Sequence, residues 1–139
     1  DEAVRLRALI EKSFGRPATE AFFARPALRL YREEGWRGAA VIADSPLGPY
    51  LTKFAVEREA QGEGIGRDLW DVIAADHPTL FWRARAGNPI GPWYTRLCQG
   101  LWRSPEWTVY WRGLAAAEIP RAIEWALAQP IDIAAPAAD

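Results

Sequence analysis

The sequence predicts a single domain of the α/β (α+β) class. Residues 50–73, YLTKFAVEREAQGEGIGRDLWDVI, run from an alternating strand through a glycine-rich turn into a helix. Helical patterns stand near both ends of the chain, and further alternating stretches lie between them. A length of 139 residues suits one domain with its own core, and a 50% hydrophobic, 25% charged composition is that of an ordinary globular protein.

Taken in order, residues 1–14 keep Leu6, Leu9, Ile10 and Phe14 on one helical face, and Gly15, Arg16 and Pro17 end that helix. Residues 27–32 and 38–44 read as two strands joined by a turn for which Gly35 supplies the backbone freedom. In the strand that follows, strict alternation puts Tyr50, Thr52, Phe54 and Val56 on one face, with Leu51, Lys53 and Ala55 on the other. Beyond the glycine turn, Ile65, Leu69, Val72 and Ile73 form an apolar helical stripe that His77 and Pro78 close. At a helix end, His77 reads as a cap. Residues 79–85, TLFWRAR, form a strand with Arg83 and Arg85 on one face and Leu80, Trp82 and Ala84 on the other. GNPIGP is a rigid turn, and Pro92 suits the first position of a helix carrying Trp93 and Tyr94. Trp107, Val109 and Trp111 alternate with Thr108, Tyr110 and Arg112 in a last strand, and Ile119, Ala122, Ile123, Ala126 and Leu127 mark a final amphipathic helix. The domain is expected to occupy residues 1–129, with 130–139 as a fraying tail.

Several function classes drop out. A net charge of -1 argues against a general nucleic-acid binder, and no apolar run approaches the roughly 20 residues that span a bilayer. Cys98 stands alone, so no intrachain disulfide can form and a cytoplasmic location is expected. No metal-ligand cluster and no Ser/His/Asp or Cys/His set is visible, so no metal is expected. The absence of methionine, even at position 1, predicts a piece of a longer chain.

Two features carry chemistry. Gln61, Gly62, Glu63, Gly64, Ile65 and Gly66 bring a backbone close to a helix N-terminus, where free amides and the helix dipole favour an anion such as a pyrophosphate. The turn lacks the Gly-Lys-Ser/Thr ending of a triphosphatase loop and the Gly-x-Gly-x-x-Gly of a dinucleotide fold. A plain structural turn is the competing account. Arg83 and Arg85, about 7 Å apart on one strand face, are either solvated and separately paired or a clamp for a small dianion.

The glycine turn resembles the Q/R-x-x-G-x-G/A loop of the GNAT N-acetyltransferases. YLTKFAV, QGEGIGRDLW, LFWRARAGNPIGPWY and WTVYWRGL resemble more closely the acetyltransferase domain of the N-acetylglutamate synthase family, in its vertebrate-type and bacterial synthase-kinase forms. That resemblance, strongest over residues 50–114, implies a GNAT fold with a mixed, mostly antiparallel sheet flanked by helices. It implies acetyl-CoA as donor, the α-amine of L-glutamate as acceptor, and direct attack in a ternary complex. It also implies an attached amino-acid kinase domain and a homo-oligomeric full-length protein. In its terms the residues from Gln61 to Gly66 hold the pyrophosphate, and the backbone of Phe54, Ala55 and Val56 pairs with the pantetheine arm. Lys53, Arg83, Arg85 and Asn88 bind the acceptor, Asn88 is counted with Tyr94 among the catalytic residues, and Tyr94 is the general acid to the departing thiolate. A phenol near pKa 10 suits that transfer. Glu57 and Glu59 are the nearest candidates for a base. The alternatives are a non-catalytic module that binds coenzyme A or an amino acid and regulates a kinase, or an enzyme acting on another small acidic amine.

Overall fold

The computed structural model describes residues 2–24 and 28–133. Its elements are α1 (Glu2–Phe14), α2 (Glu20–Ala24), β1 (Arg29–Arg32), β2 (Gly38–Ala43), β3 (Tyr50–Val56), α3 (Ile65–Asp76), β4 (Leu80–Arg85), α4 (Gly91–Leu97), β5 (Gly100–Arg103), β6 (Trp107–Arg112) and α5 (Ile119–Leu127). The strands form one sheet in the order β1-β2-β3-β4-β6-β5, parallel at β3/β4 and antiparallel elsewhere. The expected mixed, mostly antiparallel sheet is observed.

Helices cover both faces. Ala40, Ile42, Leu51, Phe54, Trp82 and Tyr110 pack against α3 and α4, with Ile65, Leu69, Trp70, Ile73 and Tyr94 supplied by those helices. On the opposite face, α1 and α2 set Leu9, Ile10 and Phe22 on Ala39, Val41 and Ala55. Beside them α5 sets Ala122 and Ala126 on Tyr50, Phe81 and Val109. Small residues on α5 let it lie close to a sheet whose own side chains are bulky. Pro120 sits in its first turn, as Pro92 does in α4.

Four local expectations differ from the structure. Strict alternation fails in β3: Val41 pairs with Lys53 and Ile42 with Leu51, so Thr52 is an extra residue, a β-bulge. Its hydroxyl donates to the Val41 carbonyl at 3.0 Å, satisfying a group that the broken ladder would strand. Phe54 and Val56 therefore share a face with Leu51, while Lys53 and Ala55 join Tyr50. The turn after β1 uses Trp36, not Gly35, as its left-handed residue (φ 58). Arg32 lies over its indole at 5.1 Å, and Glu33 pairs with Arg37 at 3.0 Å. The buried stripe of α3 contains Trp70 in place of Val72, which is exposed. Finally, residues 130–133 do not fray: Ile133 is buried with Leu9, Ala18 and Phe22. It forms a β-bridge to Ala18, and Thr19 donates two hydrogen bonds to carbonyls of the same segment. Asp1, Ala27 and residues 134–139 lie outside the described residues, while α2 and β5 are elements that the sequence pattern did not reveal.

Candidate active site

The bulge at Thr52 turns Lys53 onto the face of the sheet that carries Arg83 and Arg85. Lys53 is nearly buried, its ammonium 3.7 Å from a carboxylate oxygen of Asp132 and 5.1 Å from the centre of the Phe14 ring. Burial pushes the ammonium down to about 8; Asp132 opposes that shift, and the neighbouring Arg83 and Arg85 add to it. Both guanidinium groups lie over the Trp107 ring, at 4.0 and 4.7 Å from its centre, which offsets part of their repulsion. Arg83 donates to the carbonyls of Ala126, Gln129 and Pro130 at 2.8–3.2 Å, and Arg85 to that of Ile133 at 3.3 Å. Among the described residues the cluster therefore combines three cations with one carboxylate. The two arginines are neither simply solvated nor paired with separate carboxylates: they donate to backbone carbonyls at and beyond the end of α5, with Lys53 beside them.

Asn88 stands apart from Lys53. Its side-chain oxygen accepts from the Ile90 amide at 3.1 Å, which shapes the GNPIGP turn. It shares a cleft of about 440 Å³ with Arg85, Gly91, Thr108 and Tyr110 on the α4 side of the sheet. Arg85 is the one residue common to this cleft and the cationic cluster, so the sheet edge at the end of β4 joins the two.

Between β3 and β4 the ladder holds at Tyr50–Phe81 and Leu51–Trp82 and goes no further among the described residues. Past the bulge the described residues show no further β3–β4 pairing, which leaves the edge along Phe54, Ala55 and Val56 without a β4 partner strand, the arrangement that an added extended chain requires. The glycine turn stands at the end of this wedge. Gly62 and Gly64 adopt φ of 94° and 86°, conformations that other L-residues take only under strain. Gly64 is the N-cap of α3 and brings no capping side chain, so the first amides of the helix point outward without an intrahelical acceptor. Gln61 donates to the Val56 carbonyl at 3.2 Å, and Glu63 pairs with Arg37 at 3.1 Å. These side chains shape the turn, and the backbone of Gly62, Gly64, Ile65 and Gly66 is what the turn presents at the start of α3.

Tyr94 lies on α4, 5% exposed, with its ring edge-on to Trp82 and Tyr110 at 5.5 and 5.4 Å. Burial pushes the phenol above its ordinary value, so the expectation of a pKa near 10 is corrected upward. Glu57 and Glu59 both reach Lys12 at 3.5 Å, which commits them to α1. Cys98 caps α4 with its thiol donating to the Thr95 carbonyl, and burial raises its pKa, which suits an inert thiol. His77 closes α3 and meets the Tyr31 hydroxyl at 3.0 Å.

Sequence reasoning missed the bulge, Trp107 as the platform under both arginines, and Asp132. For Asp132 a signal was present: Ile131-Asp132-Ile133 alternates like a short strand.

The family model for the N-acetyltransferase domain of N-acetylglutamate synthase matches residues 1–126. The chain belongs to this family. It is 41% identical over 133 residues to mitochondrial N-acetylglutamate synthase of Danio rerio, covering 91% of this chain and 25% of that protein. It is 39% identical over 111 residues to a Xylella fastidiosa protein named acetylglutamate kinase, covering 79% of this chain and 26% of that one. The chain thus spans about a quarter of the length of these relatives. In fold it is similar to a GNAT-family crystal structure from Desulfovibrio desulfuricans, with a TM-score of 0.59 at 16% identity over 82% of this chain and 93% of the other. The expected GNAT fold and membership of the N-acetylglutamate synthase acetyltransferase family both stand.

Proposed function

We propose that this domain transfers the acetyl group of acetyl-CoA to the α-amine of L-glutamate. The observation that carries the proposal is the Thr52 bulge, which gathers Lys53, Arg83 and Arg85 on one face with a single carboxylate for company. An acceptor with two carboxylates suits that excess of positive charge, and Asn88 adds a polar group across the Arg85 edge. The donor would lie in the β3/β4 wedge, with its pyrophosphate on the amides at the start of α3 and its pantetheine arm along Phe54, Ala55 and Val56. Donor and acceptor then approach from opposite faces of the sheet and meet where β3 and β4 part. There the free amine attacks the thioester carbon in a ternary complex. An amide near Ala55 or Val56 would steady the developing oxyanion; Tyr94, held protonated by its burial, gives its proton to the thiolate as the carbon–sulfur bond breaks, and the proton that the attacking amine loses passes through solvent to restore the phenol. The similarity to the Xylella protein supports an amino-acid kinase domain elsewhere in a longer chain. Assembly of that longer chain into a homo-oligomer belongs to the same proposal and is read from its mass in solution.

The test is release of free thiol from acetyl-CoA by the purified chain with L-glutamate, L-aspartate, L-glutamine and L-arginine as acceptors. Turnover selective for glutamate is expected. Coenzyme A binding without turnover on any acceptor would overturn the proposal in favour of a regulatory module, and preference for aspartate would move the assignment to another acidic amine.

A further inference from the structure

Each cation of the acceptor cluster touches the segment that follows α5. Arg83 holds the carbonyls of Gln129 and Pro130, Arg85 that of Ile133, and Lys53 the Asp132 carboxylate. The segment is anchored independently of them: the Thr19 amide donates to the Asp132 carbonyl at 2.8 Å and the Thr19 hydroxyl to the Ile131 carbonyl at 2.6 Å. Ile133 is 7% exposed within the α1/α2 core. Removing such a segment to admit a ligand would strip an apolar side chain from the core and break several hydrogen bonds, so residues 130–133 form a standing wall of the site.

We infer that Asp132 is a positioning residue of the acceptor site: its carboxylate holds the Lys53 ammonium in place, and in its charged form, to receive an acceptor carboxylate. The inference rests on the function proposed above. The groups that face Lys53 are Asp132 from this wall, Arg83 and Arg85 from β4, and the Phe14 and Phe22 rings from α1 and α2. Burial and both arginines oppose the ammonium, leaving Asp132 as the one anion among the described residues that faces and sustains it. Lys53 titrates at about 8, so it is mostly charged near neutral pH; without the Asp132 charge its titration would fall further.

The chain contains only two lysines, Lys12 and Lys53, so both can be followed by NMR after selective labelling of the lysine side chains. In the Asp132→Asn variant the Lys53 titration is expected to fall by about one unit or more, while Asp132→Glu keeps it near the starting value. With glutamate as acceptor, Asp132→Asn should raise KM about tenfold at pH 8, leave the KM for acetyl-CoA unchanged, and move the rise of glutamate KM to lower pH. An unmoved Lys53 titration in a folded Asp132→Asn chain would overturn the inference whether or not the chain turns over glutamate. A lower glutamate KM in that variant would overturn it too, by showing that the segment competes for the site. Loss of the proposed function is recognised separately: the unaltered chain would fail in the acceptor panel while its Lys53 titration still responded to Asp132.

Discussion

Arg83 and Arg85 are alike in sequence and differ in what they hold. Arg83 makes three bonds to carbonyls at and beyond the end of α5, and Arg85 makes one long one. Arg83→Ala is therefore expected to lower stability by about 1–3 kcal/mol in urea unfolding, with Arg85→Ala costing visibly less; both should raise the KM for glutamate and spare acetyl-CoA. Tyr94→Phe keeps the aromatic packing against Trp82 and Tyr110, so its effect should fall on kcat, roughly a 10²-fold loss with both KM values near their starting points. An unchanged kcat would remove Tyr94 as the acid. Lys53 also predicts a pH dependence of stability. Its ammonium titrates near 10.5 in the unfolded chain and at about 8 in the fold, so between those values the unfolded state binds the extra proton. The penalty for burying the charge is complete below pH 8 and fades above it. Stability from this group therefore rises with pH from 8 toward 10, and Lys53→Met should flatten that limb of the denaturation profile.

The bulge in β3 does two things at the scale of an element: it fixes the face of Lys53, and it coincides with the point where β3 leaves β4. Deleting Thr52 would bring Leu51 and Lys53 into an unbroken ladder opposite Ile42 and Val41 without changing the face of either. The expected product is a folded chain whose straightened β3 narrows the wedge, with acetyl-CoA affinity about tenfold lower by calorimetric titration; unaltered affinity would separate bulge from wedge. A second element-level test lies after β6. Gly113 has φ +69° and an added Cβ would clash with the Pro78 carbonyl oxygen, so Gly113→Ala should destabilise by more than about 2 kcal/mol. Strand and helix positions were largely legible in the sequence, because Leu9 and Ile10 in α1, Phe81 to Arg85 in β4 and Trp107 to Arg112 in β6 follow simple periods. The bulge was not, since Thr52 is extra only relative to the partner strand that opposes it. The five residues of α2 are too few to display a helical period.

Over the whole molecule, the chain after α5 is stitched to its beginning. Thr19 and Ala18 bind residues 131–133, which in turn close the cationic cluster. Removing residues 130–139 is expected to lower the melting temperature and raise the glutamate KM together, because one segment serves the core through Ile133 and the site through Asp132. A truncated chain that keeps both values would return the segment to the status of a loose tail. The proposed site, likewise, draws on both faces of the sheet: the glycine turn and Tyr94 belong to the α3/α4 side, and the three cations to the side of α1, α2 and α5.

The sequence by itself determined the class of fold, the glycine turn before α3, the resemblance that points to acetyl transfer, and the identities of Lys53, Arg83, Arg85, Asn88 and Tyr94 as candidates. These depend on residue type and on periods within one element, which neighbours along the chain supply. Only the tertiary structure decided that Lys53 stands with the arginines, that Asn88 faces a separate cleft, that Tyr94 is buried enough to stay protonated, and that Asp132 joins the cluster. Each of those depends on register, burial or a contact between distant segments, and the physical forces that set them act across the fold.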